Sequence, residues 1–564
     1  MRKLVCLAAV SFVALAQQLQ AAILTVALDG SAMFQSVQSA VDAAESGDVV
    51  LVSPGTYTAS GPVVLDFRGK SITVRAIEGP ASTKILATGS QNALRFASGE
   101  TSDAVLEGLR VETSDQAFAN SGLAIQISGA SPTMRDCWIS YVGAGASAMS
   151  ATGSAALFVG CYFNGFTQSG AMCNMTNSVC TFLDCHFSGG ALWGGGVRLA
   201  SDASHFVGCV FDSNQSNGTG GAVRIQDSNT EFRQCSFRSN RADGQNTCQC
   251  GAISRSGGAI AIYGSTSSVS VLGCTFDINR VVAVSYVWAV MHEYFYYPGF
   301  ARGGAIYVGS GNLRLEDCSF SGNTATENSR GGAIAFDGNG ELRITRCWFV
   351  RDAANKGAEV ALNDGGGAAR LIMTDSQVVA NPASSTEGFW LVQQEGATAP
   401  RRIANSVFTS SHTSIQLQYL GSPAGQFAAI GGSSFCGNAS VPIAGEFRSL
   451  GPNCFAAECT DANEDGVPDE CFGTVRVDCN RNGMWDSTEL ALGLATDSDA
   501  DGVIDGCGGC SRDFDHDGWV SGADLVALLT NWGQPGPRPE DLDGSGVVDA
   551  GDMGLLLAAW GACP

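Results

Sequence analysis

Two kinds of hydrophobic spacing follow each other near the start of the chain. A spacing of three to four residues, typical of an amphipathic helix, joins Phe34, Val37, Val41 and Ala44. The continuous apolar run Val49–Val52 is typical of a buried strand, and the Ser-Pro-Gly-Thr sequence of residues 53–56 predicts the turn that ends it. The pattern predicts a short helix followed by strands, which continue at residues 63–65 and 71–74.

In the central part, cysteine and phenylalanine recur together at a regular interval. The cysteines lie 24 residues apart, or more where the chain is longer, at Cys137, Cys161, Cys185, Cys209, Cys235, Cys274, Cys318 and Cys347. An aromatic residue follows most of them two positions later, at Phe163, Phe187, Phe211, Phe237, Phe276, Phe320 and Phe349. Because side chains alternate along a strand, each pair shares one face, which we assign to the interior. A repeat of about 24 residues that stacks on its neighbours predicts a parallel β-helix.

The opening segment, residues 34–74, resembles the start of pectin-lyase-like right-handed β-helices. In that family a helix caps the open end of the coil, as residues 34–44 would here. The resemblance implies a mainly β chain that forms a right-handed parallel β-helix, or solenoid. The small calcium-binding domain of helices and loops that we expect after it rests on the ligand spacing at the end of the chain.

Two further motifs recur once per repeat. A double-glycine motif stands at residues 220–223, 257–260, 303–306 and 331–334, and an FxxN motif at residues 211–214, 237–240, 276–279 and 320–323. The glycine pair allows a bend that a Cβ would block, and asparagine suits a left-handed turn position. Over residues 185–350 the motifs resemble bacterial polymorphic outer membrane protein repeats, which indicate fold more than function.

The first residues have the composition of an export signal. Met1-Arg2-Lys3 is basic, residues 4–16 are apolar, and small residues near Ala16 and Ala22 offer cleavage positions. We therefore expect residues 1–22 to be a signal peptide and the protein to be secreted, either extracellular or associated with the cell surface. An oxidising compartment permits disulfides among the remaining cysteines.

Negative charge is concentrated at the end of the chain. Residues 458–564 carry 22 acidic side chains against four arginines, and so hold 18 of the 23 net negative charges. Such a segment repels nucleic acid and favours bound cations or a solvated surface.

Two loops in this acidic segment have the ligand spacing of EF-hands. Positions 1, 3, 5, 7, 9 and 12 are Asp513, Asp515, Asp517, Trp519, Ser521 and Asp524 in one loop, and Asp541, Asp543, Ser545, Val547, Asp549 and Asp552 in the other. Position 7 supplies a backbone carbonyl, and Gly518 and Gly546 stand at position 6, where the loop turns sharply. The sequence therefore predicts calcium as the cofactor.

Each loop leads into an apolar helical pattern, and the duplication resembles a type I dockerin. The apolar sets are Leu525, Leu528, Leu529 and Trp532, then Met553, Leu556, Leu557 and Trp560. The resemblance implies a cohesin-like or cell-surface partner. The recognition positions, however, are Gly522-Ala523 and Ala550-Gly551, instead of the family's usual hydroxyl-bearing pair.

Three shorter loops precede them and resemble thrombospondin type 3 repeats. Their oxygen ligands would be Asp461, Asn463, Asp465 and Asp469; Asp478, Asn480, Asn482, Asp486 and Glu489; and Asp497, Asp499, Asp501 and Asp505. The alternative is a disordered acidic linker. Cys507 and Cys510 could form a redox or zinc motif, but without a second such pair we favour structural disulfide pairing.

Long inserts between the FxxN and double-glycine motifs give the best candidates for ligand binding. The insert at residues 280–302 contains Trp288, His292 and Glu293, and strand alternation turns Arg224, Tyr263, Tyr307 and Asp337 outward beside it. Aromatic rings with arginine and a carboxylate on a flat β-face suit sugar rings. The alternative is that the insert's aromatic residues only pack it against the coil.

No catalytic motif is recognisable, so we assign no catalytic residue. We expect a signal peptide at 1–22, a β-helix at 23–455, a Cys-rich calcium-loop linker at 456–510 and a dockerin-like domain at 511–564. One hypothesis is an extracellular carbohydrate-binding or attachment protein with no nucleic-acid partner and no transmembrane segment. The other is a polysaccharide lyase or glycoside hydrolase targeted by its dockerin-like tail.

Overall fold

A computed structural model describes most of the chain up to residue 456 and parts of the acidic tail. The described residues are 21–114, 122–143, 147–167, 171–191, 195–243, 254–283, 285–290, 293–297, 299–363, 369–379, 387–394, 400–409, 413–420, 428–437, 442–444, 447–450, 453–456, 514, 519–534, 542, 545, 547–558 and 560–562.

Three long parallel sheets, visited in turn by the chain, form a solenoid. Among the described residues, sheet 1 has sixteen strands: Ile23–Val26, Val49–Val52, Thr73–Ala76, Val105–Glu107, Thr133–Arg135, Leu157–Val159, Thr181–Leu183, His205–Val207, Asn229–Arg233, Ser268–Leu272, Asn312–Glu316, Gly340–Thr345, Ala369–Thr374, Arg401–Ala404, Ala428–Gly431 and Phe447–Ser449. Sheet 2 has eighteen: Gly55–Tyr57, Thr83–Thr88, Arg110–Ser114, Trp138–Gly143, Tyr162–Thr167, His186–Ala191, Val210–Ser216, Ser236–Arg238, Arg241–Ala242, Thr275–Asp277, Arg280–Val282, Ser319–Ser321, Thr324–Thr326, Trp348–Val350, Gln377–Val379, Val407–Thr409, Ser434–Cys436 and Cys454–Ala456. Sheet 3 has fourteen: Val63–Asp66, Asn92–Phe96, Ile125–Ser128, Met149–Thr152, Cys173–Thr176, Val197–Ala200, Val223–Gln226, Ile260–Tyr263, Ile306–Val308, Ile334–Phe336, Val360–Asn363, Phe389–Gln394, Ile415–Leu420 and Ile443–Ala444. The predicted mainly β, parallel β-helix is confirmed.

The interior of the coil is a continuous stack of side chains. The predicted phenylalanine column is fully buried, and neighbouring rings lie flat on each other, as in Phe211 and Phe237 with centroids 4.6 Å apart. The eight repeating cysteines line the same interior as free thiols. Burial raises the pKa of the Cys137 thiol well above its ordinary value, so this thiol stays uncharged in the core.

The bends between sheets follow the motifs, with one correction. Gly220, Gly257, Gly303 and Gly331 all have positive φ, as the predicted bend requires. The asparagine of the FxxN motif, however, does not occupy the left-handed position. The residue before it does, for example Ser213 at φ 56° and Ser239 at φ 55°, while Asn214 and Asn240 point into the core and are fully buried. Their side chains hydrogen-bond to backbone groups and to each other, so polar groups at the bend find their partners inside the core.

Helix α1, Val37–Ala43, lies at the first open end of the coil. The Ser36 side chain accepts a hydrogen bond from the Ser39 amide at its N-terminus. At the other end, the Lys70 ammonium donates to three carbonyl oxygens, those of Val41, Asp42 and Ala44. Val37, Ala40 and Val41 are buried and join the core, so the predicted capping helix is confirmed.

Smaller elements lie outside the three sheets. Arg255–Ser256 pairs in parallel with Ala301–Arg302, and the strands Tyr286–Val290 and Glu293–Tyr297 form an antiparallel hairpin. In the tail, helices α2, Gly522–Thr530, and α3, Ala550–Ala558, accompany an antiparallel pair of Trp519–Val520 with Gly561–Ala562. Across the residues that the structure describes, no helix is both long and apolar enough to cross a membrane.

Candidate ligand-binding cleft on sheet 3

The outward face of sheet 3 mixes small and large side chains along the coil axis. The register aligns one residue from each successive strand: Arg224, Ala261, Tyr307, Ala335, Ala361 and Trp390. Each alanine leaves space beside a large neighbour, and Tyr307 fills that space against Ala261 and Ala335. The face is therefore uneven, which a plain sheet of β-branched residues would not be.

Four residues predicted from the sequence come together on this face. The Arg224 guanidinium lies over the Tyr263 ring, 5.5 Å from its centroid, and the Tyr263 and Tyr307 rings are 5.6 Å apart. Tyr307 is only 6% exposed, so it packs against the sheet and offers little open ring surface. Burial, with Asp337 nearby, raises the pKa of Tyr307 to about 12.

Asp337 lies between two arginines. Its carboxylate oxygens are 3.1 Å from Arg302 Nε and 3.7 Å from an Arg330 guanidinium nitrogen. Burial raises the pKa of Asp337, although both arginines act in the opposite direction. This largely buried carboxyl therefore links the cluster around Tyr307 to the next rungs of the coil.

A column of cations borders the same face. Arg302 pairs with Arg330, and Arg330 pairs with Lys356, through single parallel bridges on successive rungs. Rungs of a sheet are about 4.7–4.9 Å apart, so the three positive charges are closely spaced along the axis. Asp337 balances the two arginines, whereas Lys356 is exposed and makes no ion pair among the described residues.

The Trp390 ring contacts the last two cations of this column. The Lys356 ammonium is 4.6 Å from the ring centroid, and the Arg330 guanidinium is 5.5 Å from it. The indole N–H donates to Gln418 Oε1 at 3.0 Å, which fixes the ring orientation. Trp390 is only 6% exposed, so little of its surface is open to solvent.

Arg330, Lys356 and Trp390 line an open cleft of about 770 Å³, the sheet-3 cleft. It is lined by Phe300, Glu327, Asn328, Ser329, Arg330, Asn355, Lys356, Asn363, Trp390, Val392 and Gln418. Amide, hydroxyl and cationic groups dominate this lining. A cleft of this size with a few convergent polar groups has the usual properties of a small-ligand site.

One edge of the cleft is held in an uncommon backbone conformation. Glu327 and Asn328 are consecutive non-glycine residues with positive φ, at 71° and 45°. Ser329 and Asn355 hold this edge through reciprocal hydrogen bonds, with Ser329 N and Oγ donating to Asn355 Oδ1 and Asn355 N donating to Ser329 Oγ. Backbone strain of this kind concentrates at binding and catalytic sites.

Of the three residues predicted in the insert, the structure describes the positions of Trp288 and Glu293. Trp288 and Glu293 lie on the two strands of the hairpin, where Trp288 pairs with Phe295 and Glu293 with Val290. His292 lies outside the described residues. The insert rejoins the coil at Phe300, which lines the cleft.

Sequence reasoning missed Arg330, Lys356 and Trp390. A sequence signal for Arg330 and Lys356 exists, because both of them, like Arg302, stand directly before the glycine of a bend. Alternation along Phe389–Gln394 also turns Trp390 outward once Phe389 is placed in the core.

In the acidic tail, the described residues form a small apolar cluster around helices α2 and α3. Val520, Leu528, Val548 and Leu556 are buried in it, whereas the predicted apolar positions Leu529, Trp532, Leu557 and Trp560 are largely exposed. The ligands Asp513, Asp515, Asp517, Asp541 and Asp543 and every ligand of the three shorter loops lie outside the described residues. Among the described residues, no group of three or more metal-binding side chains gathers.

The described positions are compatible with the predicted calcium loops. The position-12 carboxylates Asp524 and Asp552 are fully buried. The Phe514 amide donates to Asp524 Oδ1 at 2.6 Å, so position 12 lies beside position 2 of the same loop. Asp524 Oδ2 also accepts from the Ser521 amide, and together with the Ser521 side chain this forms a capping box for helix α2. A buried carboxylate at the closing point of an acidic loop suits a hard cation.

Comparisons with known proteins concern the coil. The family described as right handed beta helix region matches residues 77–276 and 215–402. A search of curated proteins gives no match. Among solved structures, similarity is found to a pectin methylesterase from carrot, with 15% identity, 52% of this chain and 82% of that chain covered, and a TM-score of 0.27.

Two other solved structures are similar to this chain. The siphovirus 9NA tailspike receptor binding domain has 11% identity, covers 78% of this chain and 77% of its own, and gives a TM-score of 0.26. The catalytic unit of a GH87 alpha-1,3-glucanase from Streptomyces thermodiastaticus has 10% identity. The match covers 77% of this chain and 66% of that chain, and its TM-score is 0.25. No substrate or reaction is transferred from such scores. The two family matches together span more than half of the chain, and the strand pairing forms the corresponding coil, so the protein belongs to the right-handed β-helix family.

Proposed function

We propose that this protein is a secreted carbohydrate-binding protein that holds saccharides bearing negative charge in the sheet-3 cleft. The observation that carries the proposal is the Lys356 ammonium, exposed in a polar cleft and without an ion pair among the described residues. A carboxylate or sulfate on a sugar would supply the missing counter-charge. The amides of Asn355, Asn363 and Gln418 supply donors and acceptors for hydroxyl groups.

The acidic tail is proposed to bind calcium and to attach the coil to a cohesin-like or cell-surface partner. Asp513, Asp515, Asp517, Ser521 and Asp524 would hold one ion, and the equivalent residues of the second loop another. Calcium there would neutralise carboxylates that otherwise repel one another and would order the loops. Residues 456–510 are proposed to bind further calcium, with Cys507 and Cys510 in structural disulfides.

A second candidate function is hydrolysis or elimination on a polysaccharide. The observation that favours it is Asp337, a largely buried carboxyl with a raised pKa that contacts Arg330 at the edge of the cleft. A carboxyl group whose pKa is raised can act as a general acid. Glu293 and His292 in the neighbouring insert are the other groups to test for proton transfer.

A glycan array incubated with calcium-loaded mature protein tests the proposal, with detection of released sugar on every hit. We expect retention on saccharides that carry carboxylate or sulfate groups, and loss of this retention in Lys356→Ala. Arg198→Ala is the matched control, because Arg198 is an exposed cation on the outward face of sheet 3 whose register position is beside Arg224. Equal retention of both variants would contradict the proposal, and released sugar would favour the second candidate.

A further inference from the structure

A strip of three aromatic side chains and one valine runs along the outside of sheet 2, on a different sheet from the cleft. The parallel register aligns Trp138, Tyr162, His186 and Val210 on four successive rungs. Their strand neighbours toward the core, including Ile139 and Phe163, are fully buried, so the four face outward. At about 4.7–4.9 Å per rung, the strip is about 14 Å long.

The strip is open at its surface. Trp138 is 40% exposed and Val210 is 36% exposed, and both rank among the large apolar side chains that the described part of the chain leaves in solvent. Tyr162 and His186 are half-buried and touch edge to face, with centroids 4.9 Å apart. The Tyr162 hydroxyl has no hydrogen-bond partner within the described residues, so it is available to a ligand.

Polar groups border the strip on both sides. On one side, two positions further along each strand, the outward residues are Ser140, Asn164, Ser188 and Asp212. On the other side, Asp136 and Asp184 stand at the corners that precede Trp138 and His186, each with positive φ and each exposed. The strip is therefore a narrow apolar surface between two rows of hydrogen-bonding groups.

The alternation of aspartate and glycine at these corners has a steric reason. A Cβ added at Gly160 would lie 2.6 Å from Asp136 Oδ1, and one added at Gly208 would lie 2.2 Å from Asp184 Oδ1. Each carboxylate therefore leans over the glycine of the next rung and reaches the level of Tyr162 or Val210. Side chains at every corner would exclude this arrangement, so glycine at alternate rungs keeps the carboxylates beside the strip.

The charges around the strip select against anionic ligands. Asp136, Asp184 and Asp212 border it, and the cation at its end, Arg110, pairs with Glu112 at 2.7 Å. A polyanion approaching this surface would meet the carboxylates of Asp136 and Asp184, which make no ion pair among the described residues. An uncharged sugar would not be repelled, since its hydroxyl groups donate to carboxylates while its C–H faces stack on aromatic rings.

We propose that the strip formed by Trp138, Tyr162 and His186 is a second saccharide-binding surface, specific for an uncharged glycan chain lying along the coil axis. A pyranose ring is comparable in length to one rung, so successive sugars meet successive side chains. The proposal is independent of the sheet-3 cleft, whose cations favour anionic saccharides.

Affinity electrophoresis of the calcium-loaded full chain tests the proposal in gels that contain a neutral glucan, mannan or xylan, or polygalacturonate. We expect at least one neutral polymer to retard the protein, and Trp138→Ala to weaken that retardation by about two- to tenfold, the scale of one lost aromatic stacking contact. Tyr162→Phe, which removes only the unpartnered hydroxyl, should weaken it less.

Trp348→Ala is the matched control, because Trp348 lies in the same outward column of sheet 2 and is 53% exposed, but has Ser319 and Gln377 as its neighbours. It should leave the retardation unchanged. Absence of retardation by all three neutral polymers would overturn the proposal. So would an equal effect of Trp348→Ala, or a concentration-dependent dimer lost in Trp138→Ala, which would assign the strip to a second copy of the chain.

Discussion

Asn323 Nδ2 donates a hydrogen bond of 2.9 Å to Oδ1 of Asp352 in the interior of the coil. This bond ends a ladder in which each amide hydrogen-bonds to the amide one rung further on, from Asn214 through Asn240 and Asn279 to Asn323, again at 2.9 Å. Asp352 stands where a fifth asparagine would continue the repeat. The ladder holds the bend between the FxxN and double-glycine motifs together from within the core.

Breaking the ladder in its middle should destabilise the coil. Asn279→Ala removes the acceptor of Asn240 and the donor to Asn323, both fully buried. Each buried polar group left without a partner costs about 1–3 kcal/mol, so the free energy of unfolding should fall by at least that amount. Guanidinium unfolding followed by far-UV circular dichroism measures the change. Ser321→Ala, at an exposed outward position of the adjacent strand, should cost less than about 0.5 kcal/mol, and equal losses would contradict the ladder.

The acidic end of the ladder should make the stability of the coil depend on pH. Burial raises the pKa of Asp352 from 3.8 to about 8, and it raises the pKa of Glu359 in the same direction. A carboxyl group that is protonated when folded and ionised when unfolded stabilises the fold fully below its unfolded pKa. That contribution is lost as the pH rises toward the folded pKa, here between about pH 4 and pH 8.

Asp352→Asn should therefore reduce the fall in unfolding midpoint between pH 5 and pH 8. The amide can accept from Asn323 as the carboxyl does, but it carries no titrating proton. Asp103→Asn, which changes an exposed carboxylate, should leave the pH dependence as it is in the natural chain. Parallel pH profiles for the natural chain and Asp352→Asn would show that Asp352 is ionised in the fold.

Residue spacing along a strand predicts which side chains are buried, but it does not predict which residue of a turn has positive φ. Cys161 and Phe163 are two residues apart on one strand, so alternation alone placed them in the core. The FxxN asparagine was assigned wrongly, because spacing does not distinguish the residue with positive φ from its neighbour. Only the hydrogen bonds of Asn240 with backbone and with Asn279 show that its side chain points inward.

The sequence predicts residues on the same face as the sheet-3 cleft, but none of the residues that line it. Arg224, Tyr263, Tyr307 and Asp337 follow from the motif spacing, and the structure brings them together. Lys356 and Trp390 are 34 residues apart, and their contact depends on the register of rungs of unequal length. The local sequence pattern does not predict such a contact, because each insert changes the number of residues between strands that pair on neighbouring rungs.

Removing one ring from the phenylalanine stack should leave a cavity. Phe211 is fully buried and stacks on Phe187 at 4.8 Å and Phe237 at 4.6 Å, so Phe211→Ala should cost on the order of 3–5 kcal/mol. Trp348→Ala, an exposed aromatic truncation on the same sheet, is the control and should change stability little. Thermal or guanidinium unfolding measures both. A loss below about 1 kcal/mol for Phe211→Ala would contradict its place in the core.

Calcium should act on the acidic tail and leave the coil folded. Adding calcium to chelated protein should increase helix content and protease resistance in residues 456–564, because the cation neutralises clustered carboxylates. Asp524→Ala should weaken this response, whereas Glu540→Gln, outside the loop ligands, should not. Limited proteolysis and circular dichroism measure it, and spectra that are identical with and without calcium would contradict calcium-dependent folding.

The most direct test of the central claim is a calorimetric titration of the calcium-loaded protein with an oligogalacturonate, at low and at high ionic strength. If the sheet-3 cleft binds saccharides through its unpaired cation, the natural chain binds, added salt weakens the binding, and Lys356→Ala lowers the affinity by about tenfold or more at low salt. Arg198→Ala keeps the natural affinity. An affinity that is unchanged in Lys356→Ala and insensitive to salt would contradict the account.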